Sequence, residues 1–262
     1  MPVSLHGNSG PYAVILPVCN EAEALPPVIS ELQAVTRGWP ITVVAGLNGC
    51  TDTSAEVLKA NKVPFGVATE AGYGHGCVAA IQHADGCTKA PSAYIFLAAD
   101  GANDPQDLSR LIAAHQEGAQ FVLGQRTRRL RNWPRLGPFQ LVANTVLGLW
   151  ASFLTGTAFG DIGPMRLIDA HLYRRLELVE RHYGWTIEAQ VMACRLGVPM
   201  TTIAVTERQR LAGMQKVSGV SLRHSLKVGW AIAIAGWRAA RRPIEKHDCS
   251  TFRTPCVKVT NS

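Results

Sequence analysis

The stretch YAVILPVCNEAEAL, residues 12–25, decides the fold. Its first seven residues are apolar and β-rich, and from Asn20 a helical pattern opens that places Leu25, Val28, Ile29 and Leu32 on one face. A strand feeds straight into a helix, and the unit then repeats. Residues 41–45 (ITVVA) predict a second buried strand. The turn-rich Asn48-Gly49-Cys50-Thr51-Asp52 follows, then a capped helix over 53–60. Residues 63–69 read as a third strand, and the loop 71–76 leads into a helix over 77–85. Residues 94–97 (YIFL) make a fourth strand with Asp100 just beyond its end, and a helix over 105–117 and a strand over 121–124 complete the alternation. This rhythm predicts an α/β domain with a mostly parallel sheet flanked by helices, whose ligands bind beyond the carboxyl ends of the strands.

Past residue 124 the pattern changes to a basic segment, an uncharged stretch over 136–160, a loop around Asp161, a helix near 185–196 and a strand over 201–206. An apolar helix about 222–240 forms a C-terminal helical appendage. Residues 1–240 are expected to form a single domain and 241–262 a loose tail. The uncharged stretch is long enough to cross a bilayer, but Gln140, Asn144, Thr145, Ser152, Thr155 and Thr157 interrupt it, which predicts a buried or surface-lying helix.

The net charge of +7 hides an asymmetry, because residues 1–125 carry 5 Lys/Arg against 11 Asp/Glu and the cationic excess lies wholly in 126–262. An anionic partner is therefore expected at the second half. Neither an aromatic-and-basic recognition signature nor zinc-finger spacing is present, so nucleic acid is not the expected partner; a phospholipid surface or a phosphate-bearing acceptor is. The 7 cysteines are odd in number and make no C-x-x-C pair, which points to a reducing compartment. With no signal-peptide pattern over residues 1–10, the expected location is cytoplasmic, at most peripheral on the inner membrane face.

Several side chains can carry chemistry at the sheet's carboxyl edge. Glu21 and Glu23 are either helix N-terminal acids or acceptors for a nucleoside. Asp100 is suited to hold Mg2+ or Mn2+ against two phosphates, with Asp104 four residues on, although both also fit turn and cap chemistry. Gly74, within Gly72-Tyr73-Gly74-His75-Gly76, allows backbone N–H groups to approach phosphate. Arg126, Arg128, Arg129, Arg131 and Arg135 form either a solvated face or a phosphate grip. Arg208, Arg210 and Lys216 form a second cationic group around Gly213-Met214-Gln215, suited to closing over a diphosphate. Asp161 and Glu188 each have a structural reading, as a turn former and a helix N-terminal acid, and Asp161 is otherwise the candidate to orient or deprotonate an acceptor.

In order along the chain, ILPVCNEAEAL, LNGCTDTS, GYGHGCVAAI, FLAADGANDP, FVLGQR, FGDIGPMRL, YGWTIEAQ and GMQKVSG resemble the family-2 glycosyltransferases, especially the dolichyl-phosphate mannosyl- and glucosyltransferase branch. The resemblance covers roughly residues 12–240. It implies a GT-A-type, Rossmann-like fold and inverting transfer from a UDP- or GDP-sugar to a polyprenyl phosphate or a small-molecule acceptor, with a divalent metal. It also implies that Pro17, Cys19 and Glu21 bind the donor, that Asp52 belongs to the nucleoside loop, that Asp100 is the second acid of an Asp-x-Asp metal motif, that Arg126, Arg208 and Lys216 grip phosphates, and that Asp161 and Glu188 lie on the acceptor side; Asn48, next to Asp52's loop, is a further expected donor-binding residue. Two departures stand out: Ala98 replaces the first acid of the metal motif, and Leu47-Asn48 stands where an acid usually reads the base. They leave a non-catalytic nucleotide-sugar-binding relative as the alternative.

Overall fold

In the computed structural model, which describes residues 10–87, 89–126, 132, 138–212, 222–244 and 257–259, the strand Tyr12–Val18 (β1) sits inside one sheet. It pairs in parallel with β2 (Ile41–Asn48) on one side and β4 (Ala93–Phe96) on the other. Beyond β2 lies β3 (Phe65–Ala68), again parallel. On the other flank come β6 (Arg166–Asp169), β5 (Phe121–Gln125), β7 (Met200–Ala204) and β8 (Val257–Val259), giving the order β3-β2-β1-β4-β6-β5-β7-β8. β6 runs antiparallel to both its neighbours and wedges between β4 and β5, a strand that the alternating reading did not anticipate. Four residues between Pro164 and the capping Asp169 are too few to show a period. Val257–Val259 also adds a strand where only a loose tail was expected.

Alternation along the strands explains why both faces are covered. Ala13 and Ile15 join Val44, Tyr94, Phe96 and Phe121 in one buried cluster, while Tyr12, Val14, Leu16 and Val18 join Ala45, Ile95 and Val122 in the other. The second cluster is closed by α1 (Leu25–Thr36), which starts on Pro26 and Pro27, and by α4 (Leu108–Gln116). The first is closed by α3 (Tyr73–Asp85), α6 (Ala170–Leu176) and α7 (Trp185–Arg195). α2 (Ser54–Ala60) packs at the β2 end, and α5 (Pro138–Thr155) and α8 (Leu222–Arg241) complete the chain's helices among the described residues.

One glycine sets how closely helix and sheet approach. A Cβ on Gly46, in β2, would lie 1.8 Å from the carbonyl oxygen of Gly76 in α3. The helix start therefore rests directly on the strand and is fixed at the carboxyl rim. Helix α3 begins four residues earlier than the sequence pattern indicates, so Gly74 lies within its first turn. Among the described residues, no helix is long and apolar enough to cross a membrane.

Candidate active site

The carboxyl ends of β1 and β2 open into a cleft bounded by Asn20, Glu21, Ala22, Glu23, Asp52 and Thr53. Asn20 takes a left-handed backbone conformation, φ 54°, which asparagine tolerates better than most residues. From there its Oδ1 accepts the N–H groups of Thr51, at 2.7 Å, and Asp52, at 3.2 Å. Asp52 answers across the cleft: its two oxygens accept from Ala22 N and Ser54 N, both at 3.0 Å. Two loops from separate βα units are thereby tied into one rim.

Residues 207–211 run beside the loop that follows β4. Asn103 bridges Glu207, Arg208 N donates to Ala102 O, and Leu211 N donates to Asp100 O. Leu211 rests on the bare Cα of Gly101, whose φ of 79° independently demands glycine. This pairing delivers Arg210 to the cleft, where one guanidinium nitrogen lies 2.8 Å from Asp100 and the other 2.9 and 2.8 Å from the oxygens of Glu21. Arg208, by contrast, reaches Glu31 on α1 and the carbonyl of Asn103. The cation that joins the two acids is therefore Arg210, two residues beyond the one that the family resemblance picks out.

A second charged group is buried next to the first. Arg126, at the end of β5, donates from its backbone N and its Nε to Asp161, and its Nη1 lies 3.4 Å from Glu207. Burial works against the guanidinium's charge, but the two acids outweigh it and hold its pKa above the ordinary value. Burial pushes the Glu207 carboxyl up to about 7; Arg126 pulls it down, while Asp100 and Asp161 add to the rise. Asn132 fixes the frame, donating to the carbonyls of Arg126 and Val205 and accepting from Glu207 N. The turn carrying Asp161 is held by the buried Arg166, which donates to the carbonyls of Gly163, Pro164 and Thr186. Burial lowers the pKa of Arg166.

The other sequence-derived candidates divide. Pro17 and Cys19 lie at the β1 end, beside the rim. Asn48 is buried and spends its amide within the fold, donating to Val18 O and accepting from Gly72 N, so it braces two loops rather than facing a base. A Cβ on Gly74 would stand 2.8 Å from the Arg181 backbone and from Trp185, so its bare face admits the 181–185 segment. Glu188, on α7 and also buried, accepts from Val179 N and Glu180 N and pairs at 2.8 Å with Arg242, just past α8, clamping α7 to the loop before it and to the end of α8. Asp104 caps the short turn Pro105–Asp107 through Gln106 N. Arg128, Arg129, Arg131, Arg135 and Lys216 lie outside the described residues. Sequence reasoning passed over Glu207 and Asn132 because an isolated acid and an isolated amide carry no spacing signal.

Among the described residues there is no group of three or more His, Cys, Asp or Glu that could hold a metal ion. What is present is Asp100 and Glu21 converging on a single cation, Arg210. That concentration of negative charge fits a hard cation held by one protein carboxylate and otherwise by substrate phosphates.

The family model described as Glycosyl transferase family 2 matches residues 13–181. An uncharacterized glycosyltransferase of Mycobacterium tuberculosis is 30% identical over 214 residues, covering 81% of this chain and 92% of the relative. Polyprenol monophosphomannose synthase of Mycolicibacterium smegmatis is 26% identical over 225 residues, covering 81% and 83%. Among solved structures, glucosyl-3-phosphoglycerate synthase from Mycobacterium tuberculosis, in complex with Mn2+, UDP-glucose and glycerol 3-phosphate, superposes with a TM-score of 0.63 at 14% identity, covering 89% of this chain and 81% of that one. That likeness establishes the GT-A fold.

Proposed function

The chain belongs to glycosyl transferase family 2, and from that membership we propose that it moves a hexosyl group, with inversion, from a UDP- or GDP-sugar to a polyprenyl phosphate. The observation that carries this reading is the pair of cation-carboxylate groups at the carboxyl rim: Arg210 between Asp100 and Glu21, and Arg126 between Asp161 and Glu207. A diphosphate leaving group and a phosphate acceptor each need positive charge held in place, and single displacement needs little else beyond alignment. The name of the Mycolicibacterium relative and the Mn2+ and UDP-glucose bound by the structural neighbour accord with it.

In this reading the cleft between Asn20 and Asp52 receives the nucleoside, beside Pro17 and Cys19. Asp100 holds Mg2+ or Mn2+, which when bound neutralises charge on the diphosphate. Arg210 leaves the carboxylates for the phosphate oxygens, and Lys216 adds to the grip. Arg126, oriented by Asp161, meets the acceptor phosphate. Glu188 serves the fold, through the 179–180 backbone that it clamps, and not the transfer step. A phosphate acceptor is already ionised and requires no base. A small hydroxyl acceptor would use Glu207, whose carboxyl titrates near neutrality, as the proton acceptor.

The test is release of UDP or GDP from its sugar in the presence of Mn2+ and a short-chain polyprenyl phosphate. Donor binding without turnover would favour a non-catalytic nucleotide-sugar-binding protein, the reading to which Ala98 lends weight.

A further inference from the structure

Helices α5 and α8 each leave an apolar stripe in solvent. On α5 it consists of Val142, Val146, Leu149 and Phe153, between 58% and 79% exposed, at spacings that fall on one helical face. On α8, Leu226, Trp230 and Trp237 repeat the pattern. The stripes meet along a seam. Trp150, itself stacked against Phe153, donates its indole N–H to the carbonyl of Ala233 at 3.1 Å. Ala233 follows Trp230 by three residues and precedes Trp237 by four, so it lies on the same ridge of α8. The two stripes therefore make one continuous apolar face, larger than the scattered hydrophobics normal on a soluble surface.

We propose that this face docks the protein on an anionic lipid bilayer, with α5 and α8 lying in the interface. Charge selects the occupant. Neither helix contains Asp or Glu, α8 presents exposed Lys227, Arg238 and Arg241, and the Arg241 guanidinium lies 4.1 Å over the Trp237 ring. Tryptophan rings with cations beside them suit the headgroup layer, where the apolar body sinks and the charge meets lipid phosphate. A second copy pressed on the same face would set cations against cations with no acid in either helix to answer them. The face also backs the acceptor side of the cleft. Ser152 of α5 accepts from Phe159 N at 2.9 Å, and a Cβ on Gly148 would stand 2.9 Å from the Phe159 carbonyl oxygen, two residues before Asp161. A bilayer under α5 thus brings a lipid-borne phosphate towards Asp161 and Arg126, an inference that rests on the polyprenyl phosphate reading.

The full chain is sedimented with phosphatidylcholine vesicles, with and without phosphatidylglycerol, at low and high salt, alongside the double variant Phe153→Ser, Trp230→Ser. Binding is expected to require phosphatidylglycerol, to weaken with salt, and to fall at least about tenfold in the variant. The variant's melting temperature and its transfer to a water-soluble short-chain polyprenyl phosphate are expected to stay unchanged. Equal vesicle binding by the variant, or no vesicle binding by the unaltered chain, overturns the proposal. So does a dimer in sedimentation velocity that the variant converts to monomer. Failure to turn over any nucleotide sugar removes the transferase reading and leaves the vesicle result to decide the docking face.

Discussion

Arg210 ties Asp100 to Glu21 across the carboxyl rim, one guanidinium nitrogen 2.8 Å from the first acid and the other shared between both oxygens of the second. The two acids come from loops that follow different strands, β4 and β1, so the fold itself sets their separation. Side-chain exposures of 10–18% keep the group partly dry yet within reach of a ligand from the cleft. A phosphate entering there exchanges one set of anionic partners of the guanidinium for another, at small desolvation cost.

Replacing Arg210 with Ala leaves Asp100 and Glu21 facing each other without a shared cation. Affinity for a UDP- or GDP-sugar is expected to fall at least about tenfold, with Arg210→Lys intermediate because it lacks the planar fork. Isothermal titration reads this directly, and unchanged affinity in the Ala variant would take Arg210 out of the donor site.

Asp100→Asn keeps the shape of the side chain and removes its charge. Turnover is expected to fall by about 100-fold or more while circular dichroism stays native. Full turnover, with its Mn2+ dependence retained, would place the metal elsewhere.

Burial keeps the proton on Glu207 up to about pH 7, against an ordinary carboxyl value of 4.5. Between those values the native state binds more protons than the unfolded chain, so this carboxyl lowers stability as pH rises through the window, with no further loss above it. Glu207→Gln is expected to flatten that part of the melting temperature profile between about pH 5 and about pH 8. A variant profile parallel to that of the unaltered protein would show that Glu207 does not titrate there.

Glu188→Ala strands the Val179 and Glu180 N–H groups and the Arg242 guanidinium. A loss of about 2–4 kcal/mol in folding free energy is expected by denaturant titration. At low temperature, where the variant remains folded, KM and kcat are expected near their unaltered values; a collapse of kcat alone would put Glu188 at the reacting atoms.

Gly74→Ala forces a methyl against Arg181 and Trp185, and about 1–3 kcal/mol of destabilisation is expected from overpacking. A variant that keeps its melting temperature and loses only nucleotide affinity would instead return Gly74 to phosphate binding.

The parallel core was legible because strands buried on both faces are written as short apolar runs; 12–18, 41–45, 94–97 and 121–124 all fall within observed strands or one residue past them. Asp100, Glu21, Asp52 and Arg126 were legible for a related reason, since polar residues just after such runs land on the carboxyl rim; Asp161 reaches it from the loop before the antiparallel β6. β6 was not, because a four-residue antiparallel insertion has neither length nor period. Asn48 and Gly74 carried the appearance of ligand residues, yet the space beside each is occupied by the protein's own backbone.

What the sequence alone determined is the alternation of strands and helices through residue 124 and the set of side chains available at those strands' carboxyl ends, because local pattern and turn chemistry act over a few residues. Which cation meets which acid was decided only in three dimensions. Arg208 and Arg210 are indistinguishable by type and neighbourhood in the chain, and the backbone pairing of 207–211 with the loop after β4 turns one to Glu31 and the other to Asp100 and Glu21. Such pairing joins segments about a hundred residues apart, and no local signal encodes it.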